Sequence, residues 1–258
     1  MTSYSGRHAE LYDIFYVDKQ YNEEAAFIHQ CLQQYGVGDT HRLLELACGT
    51  GSHSLALEKL GHGYEIVATD YSHDMLAYAK RKAEQVSSSI DFQLQDMRAL
   101  NLPDHSFDAV ICLFDSIGYV VTNEALKQVL QGVYHHLRSD GLFVFEFWHA
   151  GAMLRNYEPV RIRRWSTSTG ELLRISETKL RCAKQLSAVT YSVYELHNDG
   201  TYYSFKETQV NRYFLVQEMA ALLSFCGFTS LKWFDGFTAI EDITEDTWHV
   251  LAIARKCK

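Results

Sequence analysis

Three carboxylates and two glycines stand where a ligand of positive charge would be held. The stretch "LLELACGTGSHS", residues 43–54, carries Glu45 inside an apolar run and then Gly49 and Gly51 in a tight bend. Asp70 lies 19 residues beyond Gly51, at the end of a second apolar run, "YEIVATD". Asp96 closes a third, "IDFQLQD". Glycine lets a ligand touch the main chain. A strand that stops at a glycine bend and leads into a helix makes a ligand site at the C-terminal edge of a parallel sheet.

Two ligand classes compete for such a bend. A dinucleotide wants G-x-G-x-x-G, with its pyrophosphate on the helix N-terminus. Here the third position is Ser54, and no Walker pattern occurs. S-adenosylmethionine carries a sulfonium and a zwitterionic amino-acid end, so it needs acids rather than a phosphate nest. Glu45 suits its ammonium, usually through water. Asp70 can accept both ribose hydroxyls and Asp96 the adenine amino group, while Tyr71, Met75 and Met97 can pack on the adenine faces. Any one of these acids reads equally well as a helix cap or a surface charge. Their combination at three successive strand ends is what points to the cofactor.

The elements that must position these residues alternate. Residues 8–35 read as a helix, with Leu11, Ile14, Phe15, Ala25, Ile28 and Leu32 at helical spacing. Strands at 42–47, 64–70, 90–96, 107–115 and 141–148 are separated by helices at 52–61, 72–85 and 123–137, with Ser72 as an N-cap. That order predicts an α/β fold with a parallel sheet covered by helices on both faces. After residue 150 the chain turns β-rich, and Asp199-Gly200 marks a hairpin. A helix at 215–227 and two last strands follow. The organisation expected is an N-terminal helical lid (1–38), a cofactor-binding core (39–150 and 214–258) and an antiparallel insertion (151–213). The insertion would bind the acceptor or form a dimer contact, its exposed edges and Tyr191, Tyr194, Tyr202 and Tyr203 serving either.

Bulk properties exclude other classes. The 258 residues are 47% apolar and 22% charged, ordinary for a globular chain, and the formal net charge of −8 disfavours a nucleic-acid partner. The one basic cluster, "VRIRRWS", puts Arg161 and Arg163 on one strand face and Arg164 on the other. It reads as a solvated strand, with an anion site as the alternative. Six cysteines without C-x-x-C give no disulfide framework or zinc site and fit a reducing cytoplasm. No metal pattern appears among the twelve histidines, and His135–His136 reads as a helix-surface pair. The N-terminus lacks the apolar core of a signal peptide, and no run of 18 apolar residues suggests a membrane span.

"LLELACGTGSHS", "ATDYSHDMLAYAK", "LQDMRAL" and "FDAVICLFDSIGYV" resemble the motifs of class I S-adenosylmethionine-dependent methyltransferases, over residues 43–148 and more loosely at the end of the chain. The resemblance implies a Rossmann-like, seven-stranded, mostly parallel sheet, with Ala47 and Phe114 of those motifs at the cofactor. "YSGRHAELYD", "FDSIGY", "FEFW" and the β-rich insertion are similar to bacterial nucleotide-sugar amine N,N-dimethyltransferases. That resemblance implies an amino-sugar acceptor and tyrosines that close over cofactor and substrate, at Tyr4, Tyr12 and Tyr21. Where the family commonly carries histidine, this chain has Tyr119.

Methyl transfer from a sulfonium asks chiefly that a lone pair be held in line, about 3–3.5 Å from the methyl carbon. An amine must arrive neutral or lose a proton. Tyr4, Asp115, Tyr119 and His149 are the candidates at the reacting centre, with Asp115 and His149 expected at the mouth of the site because they follow strands four and five. The stripe Phe143, Phe145, Phe147 reads as core. A phenol or hydroxyl O-methyltransferase is the nearest rival, and a non-catalytic cofactor-binding protein the rival of another class. The nucleic-acid version is weak, since "FDSIG" stands where an N/D-P-P-Y motif would be.

Overall fold

The computed structural model describes residues 4–103 and 106–257. Its main sheet has seven strands: β1 (Arg42–Leu46), β2 (Glu65–Asp70), β3 (Asp91–Leu94), β4 (Phe107–Cys112), β5 (Leu137–Trp148), β10 (Phe228–Asp235) and β11 (His249–Lys256). They lie in the order β10-β11-β5-β4-β1-β2-β3, all parallel except β11, which runs against both β5 and β10. The chain leaves β1 toward β3 and then returns to β4 on the other side. The strand order therefore reverses between β1 and β4, where open α/β sheets bind ligands.

Alternation along the strands builds two cores. Leu43, Ile66, Ile111 and Val144 face helices α2 (Tyr21–Tyr35), α3 (Ser52–Lys59) and α4 (His73–Gln85). Leu44, Val110, Phe143, Phe145 and Phe147 face α5 (Asn123–His136) and α7 (Val216–Phe225). The three phenylalanines are fully buried and stack along β5, with centroids 4.5 and 6.0 Å apart. Each such side chain contributes roughly 1.5–3 kcal/mol through burial. Ser72 caps α4 by accepting the Met75 N–H at 3.3 Å, which fixes the helix start beside Asp70.

The β-rich stretch forms a separate antiparallel sheet of β6 (Val160–Thr167), β7 (Gly170–Arg181), β8 (Leu186–His197) and β9 (Tyr202–Arg212), reached through the short α6 (Ala150–Asn156). The β8–β9 hairpin turns at Asp199-Gly200, where Gly200 has φ +85°.

Two expectations change. The helix read over 8–35 is broken into α1 (Arg7–Phe15) and α2, because the two halves pack on different sheets. Leu11 and Phe15 of α1 sit with Leu172 and Val193 of the antiparallel sheet, while Ile28 and Leu32 of α2 join the main core. A continuous rod would not reach both. The His135–His136 pair is also not a surface pair: His136 is buried, with Nδ1 2.8 Å from the Gly132 carbonyl.

Candidate active site

A cleft of about 1190 Å³ opens between the C-terminal edge of the main sheet, one face of the antiparallel sheet, and α1 with the turn that follows it. Its donor side is shaped by backbone in the left-handed region. Ala47 (φ 52°) and Gly49 (φ 58°) follow β1, and Phe114 (φ 58°) and Asp115 (φ 53°) follow β4. Non-glycine residues held there carry strain that the surroundings must enforce. Asp70 enforces the first bend, one carboxylate oxygen accepting the Gly49 N–H and the other the Ser72 N–H, both at 2.8 Å. Glu146 enforces the second, accepting the Phe114 N–H at 2.7 Å.

The two glycines do different work. Gly49 lies on the cleft wall, and a Cβ there would meet only Met75 Cε, at 3.3 Å. Gly51 is not on the wall: a Cβ there would stand 2.9 Å from the Phe92 ring and 3.2 Å from Ala79 Cβ. It lets the bend between β1 and α3 pack closely against β3 and α4.

The donor side is acidic and buried. Glu45 is 2% exposed, takes a hydrogen bond from the Ser54 hydroxyl, and has His53 Nδ1 at 4.0 Å. Burial pushes its carboxyl up, against the opposing pull of His53 and Ser54. Asp70 is likewise pushed up by burial, against the N–H groups it accepts. Such a donor set favours a cation, which would hold both carboxyls ionised. The residues therefore fit an ammonium and a sulfonium, with Glu45 placed for the amino-acid end. Tyr71, Met75 and Met97 line the same wall, and Tyr12 and Tyr21 close it from the N-terminal side. Asp96 lies two residues past the end of β3 and is shared with Arg98, whose N–H and Nε both donate to it at 2.9 Å. The hydrogen bonds from Arg98 hold its carboxyl below the usual range.

Sequence reading missed several residues here. Glu146 and His249 pair on the cleft wall, and Lys19 lies 2.6 Å from Glu24 and 4.2 Å from the Phe114 ring centroid. Burial would raise the Glu146 carboxyl, but His249, Lys19 and the Phe114 N–H outweigh it and hold it at about 2. His249 moves the other way: burial lowers it, and Glu146 overcomes that and raises it. The available signal was a lone carboxylate inside the apolar run "FVFEFW".

On the acceptor side the hydroxyls of Tyr4 and Tyr119 meet each other, and both reach Gln209 Oε1, at 3.0 and 2.9 Å. Burial and the neighbouring tyrosines push both phenols well above their ordinary value. Glu207 anchors the N-terminal segment to β9 by accepting the Tyr4 N–H at 3.1 Å and meeting His8 Nδ1 at 2.9 Å. Asp115 lines the cleft, but its oxygens accept the Trp148 N–H and the Asn211 amide, each at 2.9 Å, tying the end of β5 to β9. Burial pushes its carboxyl well up. His149 is not on the wall; its ring is buried against Gly151 and the 244–247 loop. Its strand ends where expected, but the chain turns straight into α6 and carries the ring behind the cleft.

A parallel sheet with reversed order, a strained bend after β1 and an acidic edge beside it define a Rossmann-like methyltransferase that uses S-adenosylmethionine. Residues 43–141 match the family model described as a methyltransferase domain. The chain is similar to the putative methyltransferase YqeM of Bacillus subtilis, 29% identical over 85% of this chain and 84% of that one. It is also similar to the dTDP-3-amino-3,4,6-trideoxy-alpha-D-glucopyranose N,N-dimethyltransferase of Streptomyces venezuelae, 32% identical over 56% of this chain and 59% of the relative. Among solved structures, an S-adenosylmethionine-dependent methyltransferase from Clostridium acetobutylicum superposes with a TM-score of 0.82 at 21% identity, over 97% of this chain and 98% of that one. Among the described residues, no helix is long and apolar enough to cross a membrane.

Proposed function

We propose that the acceptor is a small-molecule amine, with an amino sugar as the first class to try, and that this chain methylates its nitrogen. When bound, S-adenosylmethionine supplies a methyl group already activated on a sulfonium. The observation that carries the amine reading is the Tyr4–Tyr119–Gln209 cluster. Two phenols held protonated by burial can orient an amine by accepting from its N–H groups, which leaves its lone pair free to face the methyl carbon, but neither can take a proton from a hydroxyl at neutral pH. Both oxygens of Asp115 are engaged, and Glu146 draws the wall histidine His249 toward its protonated form, away from the role of base. A neutral amine needs no base before it attacks; the methylated nitrogen then releases its proton to water. The similarity to an amino-sugar N,N-dimethyltransferase supports the same reading.

In this reading Glu45, Asp70, Asp96 and the backbone at Ala47 and Gly49 hold the cofactor, with Tyr12, Tyr21, Tyr71, Met75, Met97 and Phe114 packed around it. Tyr4 and Tyr119 position the acceptor, and Asp115 holds the wall they stand on. The antiparallel sheet supplies the acceptor wall through Tyr191, while Tyr202 and Tyr203, exposed on β9, are the surface for a two-fold contact; light scattering tests that contact. The function is tested by offering labelled cofactor with matched amines and phenols. Label on amines alone is the expected result, and label confined to phenols overturns it.

A further inference from the structure

Arg174 on β7 is a buried cation without a counter-ion among the described residues. Its side chain is 7% exposed, its Nε and Nη1 have no hydrogen-bond partner, and it lines the cleft. Its guanidinium carbon sits 4.8 Å from the Phe15 ring centroid, 5.1 Å from Trp165, 5.2 Å from Tyr191 and 5.6 Å from Tyr16. Ring faces attract the charge, but they offer no acceptor to N–H groups lying in the guanidinium plane. A guanidinium does not escape by losing its proton, and a buried unpaired donor costs free energy.

A second observation comes from strand register. Arg163 of β6 stands directly opposite Arg174, and Arg161 directly opposite Ser176. All four line the cleft. Like charges facing each other across an antiparallel pair repel. Arg161 is answered by Glu158 at 2.6 Å, but among the described residues no carboxylate answers Arg163 or Arg174. Two facing arginines with free forks match a carboxylate or phosphoryl group.

The same register places this patch relative to the tyrosine cluster. Gln209 pairs with Val189, which pairs with Thr178, four residues along β7 from Arg174. At strand rise that offset is about 13 Å along the strands, with two strand spacings, about 10 Å, across them. We infer that the cleft takes an elongated acceptor, with its amine at the Tyr4–Tyr119–Gln209 cluster and an anionic group, carboxylate or phosphoryl, at Arg174 and Arg163. This rests on the amine reading only for the acceptor's other end; the anion site stands on the arginines.

The test is calorimetry on the full chain saturated with S-adenosylhomocysteine, titrated at constant ionic strength with inorganic pyrophosphate and, separately, with acetate. Wild type should bind at least one probe, and whichever binds more tightly names the anion. Arg174→Gln should weaken it at least tenfold, Arg163→Gln several-fold, and Arg174→Lys less than Arg174→Gln. The affinity for S-adenosylhomocysteine should stay the same in all three. Arg163 is exposed, so its variant keeps the test valid where Arg174→Gln unfolds. Wild type that binds neither probe, or variants that bind them as wild type does, overturn the proposal. Because no methyl is transferred, this outcome is independent of the amine-against-phenol screen.

Discussion

The two sides of the cleft are held in place by different kinds of contact. On the donor side the partners are close in sequence: Asp70 reaches Gly49 across 21 residues and Ser72 across 2, and Glu45 reaches Ser54 across 9. On the acceptor side they are far apart: Tyr4 meets Gln209 across 205 residues, His8 meets Glu207 across 199, and Asn211 meets Asp115 across 96. The donor side is thus one βαβ unit that carries its own geometry. The acceptor side exists only once α1 and the antiparallel sheet have docked over that unit. Changes on the first side should act on the cofactor, and changes on the second on the acceptor.

The largest effect expected is at Gly51. Valine there would hold a branched side chain at φ +74° against Phe92 and Ala79. Strain and overpacking together cost on the order of 2–4 kcal/mol. Gly51→Val should lose cofactor affinity by about 100-fold or more and melt well below wild type, read by calorimetry and thermal unfolding. Unchanged affinity would mean that the donor side does not depend on its tight packing.

Glu45→Gln should weaken the cofactor about 30-fold, the worth of one charge-assisted hydrogen bond of about 2 kcal/mol. S-adenosylhomocysteine keeps the ammonium but has no sulfonium charge. Equal losses for the two ligands place Glu45 at the amino-acid end, and a loss for S-adenosylmethionine alone moves it to the sulfonium. Affinity should also fall as the pH is lowered toward the Glu45 and Asp70 carboxyls, which burial has raised above their ordinary values. A cation prefers the ionised form, so protonation competes with binding.

The same contrast explains what could be read without coordinates. The seven-stranded sheet and its acidic edge were legible because glycines, acids and caps recur at short, fixed offsets along the chain. Gly51 looked like a ligand contact, since sequence cannot tell a glycine that faces a ligand from one that faces Phe92. The turn between α1 and α2 was missed because the apolar spacing of each half is helical on its own, and only the docking of α1 on Leu172 and Val193 separates them. Arg174, Gln209 and Asn211 gave no signal: each is one polar residue on an alternating strand, and its role depends on register with partners far away. The basic run at Arg161 and Arg163 is visible in the sequence, but whether its strand faces water or a cleft depends on what covers it.

Tyr119→Phe probes the acceptor side alone. A phenol that stays protonated positions rather than deprotonates, so the turnover loss should be about tenfold, short of the roughly 10²–10⁴ of general acid–base catalysis. Cofactor affinity, measured separately, should not move. A loss of a thousandfold, with a pH–rate profile that loses one limb, would make Tyr119 the proton acceptor and reopen the hydroxyl-acceptor reading.

The smallest effect expected is at the seam between the sides, where Glu146 holds the Phe114 N–H and His249 holds Glu146. His249 is raised above its ordinary 6.5, so its contribution to stability is complete below that value and is lost as pH rises through the higher folded one. Glu146 is lowered from 4.5 to about 2, so its contribution is complete above 4.5 and is lost as pH falls toward 2. Both are charged between those limits. The His249 side chain is 39% exposed, so solvent screening leaves the pair about 1 kcal/mol, roughly 2–4 °C in melting temperature. His249→Gln should melt below wild type by that much at pH 5–6, and the gap should narrow toward pH 9. A gap that widens with pH would mean that His249 serves the fold as a neutral ring. The bend at Phe114 would then rest on the Glu146 carboxylate without a cation behind it, and the strain at that bend would be borne by the donor side alone.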